Sequence, residues 1–154
     1  MSLLKYIPIL FFLYSHFQEY ELSGKVVKIL DGDTITILDL GKNQHRIRFY
    51  GIDAPEKKQA FGQKSKKTLA NLIAGKEVTI TVIGRDRYER LIGKVHFEGV
   101  YVNAWLVGEG LAWHYVRYAP NDQLLADLQK QARKEKRGLW IQEAIAPWEF
   151  RRRK

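Results

Sequence analysis

Beyond Leu22 the chain alternates apolar and polar residues with the period of strands that bury one face. "GKVVKIL" and "TITIL" are two such segments, flanking Asp31 and Gly32, a pair that signals a tight hairpin. After the turn material "LGKN", the segment "HRIRFY" puts Ile47 and Phe49 on one face and Arg46, Arg48 and Tyr50 on the other. The period then changes: Phe61, Ser65, Thr68, Leu69, Leu72 and Ile73 recur at helical spacing between lysines, with Gly75 where a helix C-terminus belongs. Alternation returns in "EVTITVI" and "GKVHFE". Two more helices are predicted, a short one near Asn103 to Glu109 and a longer one from Asp122 to Lys136. The longer one has Leu124, Leu125, Leu128 and Ala132 as its apolar stripe and Gly138 as its end.

Three meandering strands, a helix, two strands and then helices fit a mainly β, α+β chain. They predict a five-stranded OB-fold barrel with about three packed helices. The 154 residues, 45% hydrophobic, suffice for one core. No internal repeat or interior linker divides them. An apolar run after Lys5, "IPILFFLY", is shorter than the roughly 18 to 20 residues that span a bilayer and has the length of a secretory signal's hydrophobic region. Ser15 is the nearest small residue behind it. Residues 1–20 are therefore expected to be a signal peptide or membrane anchor, against the alternative of a buried first strand. Residues 21–150 form the domain, and 151–154 a solvated basic tail.

Charge narrows the partners. With 26 Lys+Arg against 17 Asp+Glu the net charge is +9, which favours a polyanion. The absence of cysteine excludes disulfides, thiolate metal sites and a cysteine nucleophile. His16, His45, His96 and His114 have no metal-ligand spacing and are expected to be structural. Trp105, Trp113, Trp140 and Trp148 are expected in packing.

Acidic residues cluster where the strands turn. Asp31 and Asp33 flank the hairpin, and Asp53 and Glu56 follow the third strand, which in a meander lies beside the second. Carboxylates gathered at one end of a barrel repel unless a hard cation binds between them, and all-oxygen donors favour calcium or magnesium. Arg48 on the adjoining strand would face an anion held there, a combination that suits a phosphodiester. Each motif taken singly also reads as an ordinary turn or the start of a helix.

Together, "DGDT", "RFYGIDAPE", "DRYERLIGKV", "VNAWLVGEGLAW", "YAPN" and "ARKEKRGLW" resemble the staphylococcal nuclease family in order and spacing, across residues 22–148. The resemblance implies an OB-fold, calcium-dependent, sugar-nonspecific hydrolysis of DNA and RNA, and 3′-phosphate products. It implies Asp33 and Asp53 as metal ligands with the backbone carbonyl of Ala54, and Glu56 as base or water-positioner. Arg48 and Arg90 match the phosphate-binding arginines; Arg87, Tyr88 and Tyr118 match substrate contacts. The likeness is to bacterial secreted or periplasmic members, so export is expected, with membrane association only through the leader. A monomer without an obligate protein partner is expected. The alternative is an inactive OB-fold module that only binds nucleic acid. Three departures stand out: Glu89 where the family has glycine, Val116 where it has a second tyrosine, and no long lysine-rich loop before the first helix.

Overall fold

The computed structural model describes residues 17–153. The apolar leader lies almost wholly outside them, and among the described residues no helix is long and apolar enough to cross a membrane. Five strands build the barrel: β1 (Tyr20–Asp31), β2 (Thr34–Leu38), β3 (Gln44–Phe49), and, after a two-residue strand and a helix, β5 (Glu77–Arg85) and β6 (Leu91–Phe97). The first half of β1 pairs with β5, from Tyr20 opposite Val82 to Lys25 opposite Glu77; its second half pairs with β2. One long strand thus serves both halves of the sheet, with a register irregularity between Val26 and Lys28 where it leaves one partner for the other.

The sheet closes through a parallel pair, β3 on β6, with Ile47 opposite Leu91 and Phe49 opposite Gly93. Closure removes the edges that open sheets expose. Ile35, Ile37, Ile47, Phe49, Ile80, Val82 and Val95 fill the interior. Full burial of each such side chain contributes about 1.5–3 kcal/mol. A two-residue strand β7 (Val100–Tyr101) turns back and pairs antiparallel with the end of β6, and β4 (Ile52–Asp53) pairs with β8 (Trp113–His114) in a separate small ladder.

Helix α1 (Gly62–Ile73) buries Gly62, Ser65, Leu69 and Ile73, the face its spacing predicts. Helix α2 (Val102–Gly108) is locked to the barrel's closing seam by Asn103. Its Oδ1 accepts from Val95 N at 2.9 Å, and its Nδ2 donates to Tyr50 O at 2.9 Å and Gly93 O at 3.2 Å. Helix α3 (Gln123–Lys134) starts on Asp122, whose carboxylate accepts from Leu125 N.

Three details of the α-helical part differ from the sequence pattern. Leu124 is exposed rather than part of the stripe. The helix ends at Lys134, closed by Lys136 in a left-handed conformation (φ +53°) with Arg137 N donating to Ala132 O at 2.9 Å, while Gly138 (φ +52°) has another task. A Cβ there would lie 2.2 Å from Gly110 O, so glycine permits two chain segments to cross. The third is the tail: Arg151 and Arg152 are exposed, as expected, but close a fourth helix, α4 (Pro147–Arg152), started by Pro147 at a first-turn position.

The tryptophans pack as expected. Trp113, Leu139 and Ala146 form a second core, with Trp140 and Trp148 against it, and Trp105 packs on the main one. The described histidines are structural too: His45 pairs with Asp39 at 2.7 Å, His96 stacks on Tyr101, and buried His114 bonds Ala119 O at 2.8 Å.

Candidate active site

The β2–β3 register places the site. Thr34 lies opposite Arg48, and Phe49 N donates to Asp33 O at 2.9 Å, so the hairpin's second acid sits beside the arginine of the third strand. Gly32 brings the hairpin inward. A Cβ there would lie 2.8 Å from the Ala54 Cβ and 2.9 Å from the Ser65 Cβ, so glycine is required for close approach to α1 and the β4 loop.

Arg48 is the hub. Its Nη1 donates to Phe49 O at 2.9 Å and Ile52 O at 2.8 Å, while Nη2 lies 3.2 Å from Asp53 Oδ1 and 3.3 Å from Asp33 Oδ2. Two carboxylates that are 5% and 2% exposed thus converge on one nitrogen. Asp33 also accepts from Ala54 N at 2.6 Å and from the Thr34 hydroxyl at 3.0 Å. Burial pushes the Asp33 carboxyl up, but Arg48 and these hydrogen bonds outweigh it and hold it below the usual range. Asp31 takes the opposite course: burial first, then the charge of Asp33, push it up to about 7. Burial likewise holds Asp53 above its ordinary value, against the pull of Arg151 and Arg48.

Glu56 joins this group through a residue that the sequence pattern did not single out. Arg151, on α4, donates from Nη2 to Asp53 Oδ2 at 2.7 Å and from Nη1 to Glu56 Oε1 at 2.7 Å, with a longer bond of 3.3 Å to Asp53 Oδ1. Two guanidinium groups therefore bridge three carboxylates. With both in place, no set of three Asp, Glu, His or Cys side chains among the described residues is arranged to hold an ion by itself. The donor set is nonetheless all oxygen, converges on a cation, and fits a hard divalent ion. The only signal for Arg151 in the sequence was Pro147 ahead of an aromatic and basic run, the mark of a short terminal helix.

Three of the remaining predicted residues, Arg87, Tyr88 and Arg90, form a second group at the β5–β6 turn. Arg90 Nε donates to Asp86 Oδ2 at 2.8 Å, Arg87 donates to the Tyr88 hydroxyl at 2.8 Å, and both guanidiniums lie over the Tyr88 ring. Arg90 is thus held by its own turn rather than by the carboxylates. Glu89 adopts φ +62°, the conformation glycine would take, and pairs outward with Arg85 at 3.0 Å instead of with Arg90. Tyr118 is exposed and lies edge-on to Tyr115 at 5.0 Å. Tyr115, Val116, Arg117, Trp148, Arg151 and Arg152 line a cleft of about 460 Å³ beside the acids.

The chain is similar to known nucleases. The model of the family described as staphylococcal nuclease homologue matches residues 46–142. An uncharacterized endonuclease of Escherichia coli is 44% identical over 153 residues, covering 97% of this chain and 99% of the relative. One from Haemophilus influenzae is 43% identical, over 83% of this chain and 72% of its own. A micrococcal nuclease of Shigella flexneri is 41% identical, over 84% and 80%.

Proposed function

Because the chain belongs to the staphylococcal nuclease family, we propose that it is a hydrolytic nuclease. It cleaves phosphodiester bonds of DNA and RNA with the help of calcium and leaves 3′-phosphate ends. The observation that carries the reading is the convergence of buried Asp33 and Asp53 on the Arg48 guanidinium, beside Glu56. Buried like charges held this close need cations beside them, a demand that Arg48 and Arg151 meet here and that a hard ion could meet in their place, and a phosphodiester is the anion such a site can turn over.

Asp33 and Asp53, with the Ala54 carbonyl, would hold the ion. When bound it supplies Lewis-acid polarisation of a phosphate oxygen. Glu56, half-exposed at the rim, takes a proton from the attacking water as the water oxygen bonds to phosphorus and the P–O5′ bond breaks, the released 5′-oxygen taking a proton from solvent. Arg48 turns Nη2 from the two aspartates to a non-bridging phosphate oxygen, neutralising charge that develops at phosphorus. Arg90 supplies the second guanidinium by exchanging Asp86 for phosphate. Arg87, Tyr88 and Tyr118 contact the substrate beyond the scissile bond, where the net charge of +9 also steers polyanions. The apolar leader adds export to the reading.

The test is cleavage of plasmid DNA and of RNA in calcium, repeated with chelator, with end-group mapping of the products. Glu56→Gln, which keeps shape and loses the base, is expected to lower turnover by orders of magnitude while nucleic-acid binding changes little. Cleavage undiminished by chelator, or equal losses in binding and turnover, would remove the assignment.

A further inference from the structure

Helix α4 lies beyond the residues that the family model matches, yet it is built into the acidic site. Three contacts dock it. Gln59 Nε2, three residues after Glu56, donates to Ile145 O just ahead of the helix. Trp148 packs edge-on against Trp113 at 5.5 Å and stacks on Tyr115 at 5.1 Å with the rings 17° apart. Arg151 then reaches both oxygens of Asp53 and one of Glu56. Asp53 is almost fully buried, and a paired, buried carboxylate is far more sensitive to its partner than an exposed one.

We propose that Arg151 is a built-in cation of the site: it occupies the carboxylates of Asp53 and Glu56 when no divalent ion is present, and must withdraw when one enters. The proposal rests on the metal-dependent reading above and adds what controls it. A guanidinium and a divalent ion would compete for Asp53 Oδ2, which Arg151 holds at 2.7 Å, closer than Arg48 comes to Oδ1 at 3.2 Å. Ion binding therefore includes the cost of releasing Arg151, and α4 sets the affinity. Apparent affinity falls by the fraction of molecules in which the site is open, so a closed state held in about nine molecules of ten weakens binding about tenfold. Once displaced, the guanidinium faces the cleft that Arg117 and Arg152 already line, so its charge stays next to an incoming polyanion.

Titration calorimetry of calcium into the full chain, without nucleic acid, tests this. Arg151→Gln keeps a polar stem and should tighten calcium binding about tenfold or more, with Arg151→Lys between it and the wild type. Arg152→Gln removes the same charge from the same cleft without touching Asp53 or Glu56. It controls for general electrostatics and should change affinity by less than about threefold. Circular dichroism of each variant verifies folding. Equal affinity in Arg151→Gln and wild type, weaker binding in Arg151→Gln, or an equal gain from Arg152→Gln would overturn the proposal, while calcium-dependent cleavage by the wild type would leave the nuclease reading intact. Calcium binding gained only on Arg151→Gln substitution would support it. No binding of calcium, magnesium or manganese by any variant, with cleavage that persists in chelator, would overturn both.

Discussion

Arg48→Met removes one guanidinium and leaves the barrel otherwise intact, so its cost can be read from four contacts. Two are hydrogen bonds to the carbonyls of Phe49 and Ile52; the other two are ion pairs with Asp53 and Asp33. Stripping one partner from a buried ion pair costs about 3–5 kcal/mol, because the other charge stays buried without compensation. Phe49 and Ile52 are buried, and a neutral carbonyl left without its donor adds a smaller cost than a stranded charge. The expected loss is therefore about 3–5 kcal/mol at pH 7, measured by urea unfolding in chelator. The pH dependence identifies the cause. Asp33 is held below its ordinary value, so its ionised form contributes stability that is present above the unfolded value of 3.8 and lost as the pH falls further. Arg48 is one source of that shift, so the gap between variant and wild type should narrow towards pH 3.5. Arg48→Lys should recover part of the loss, since one ammonium cannot span both acids and both carbonyls. A gap under about 1 kcal/mol at pH 7, or one unchanged at pH 3.5, would refute the account of Arg48 as the charge hub.

Asp31→Asn should stabilise the metal-free protein at pH 8 by on the order of 1–3 kcal/mol and hardly at all at pH 3.5. A carboxyl raised to about 7 costs the folded state nothing below its ordinary 3.8 and progressively more between the two values. A benefit independent of pH in thermal unfolding would contradict this. Asn103→Ala strands Val95 N and Tyr50 O at the closing seam and takes one of two donors from Gly93 O, which still accepts from Tyr50 N, for an expected loss of about 2–4 kcal/mol. A loss under about 1 kcal/mol by urea titration would mean that the seam closes without it. Glu89→Gly relieves a positive φ but frees the unfolded chain, two effects of about 1 kcal/mol that oppose each other. Its exposed pair with Arg85 adds little, so both stability and cleavage rate should stay near wild type. A large rise in rate would show that Glu89 restrains the turn, whereas Arg90→Ala should lower the rate by orders of magnitude.

The alternation of "TITIL" and "HRIRFY", the Asp31–Gly32 turn and the lysine-flanked helical spacing after Phe61 were legible because burial on one face imposes a period on a strand or a helix. The same pattern placed Ile47 and Phe49 inside and Arg48 on the other side, as the barrel has them. Neighbouring strands in a meander then brought Asp33 to Arg48, which local order is enough to determine. Contacts between distant segments left no such period. The parallel closure of β3 on β6, the crossing of Gly110 and Gly138, and the exposure of Leu124 depend on which surfaces meet after folding. Arg151 is the clearest case. Nothing in "FRRRK" distinguishes it from its neighbours. It reaches Asp53, 98 residues away in sequence, only because Trp148 and Ile145 dock α4 beside the acids. Residue identity by itself determined that this chain would gather carboxylates and arginines at one end of a barrel. Which arginine neutralises which carboxylate was decided by tertiary packing, since a charge chooses its partner by distance and desolvation rather than by separation along the chain.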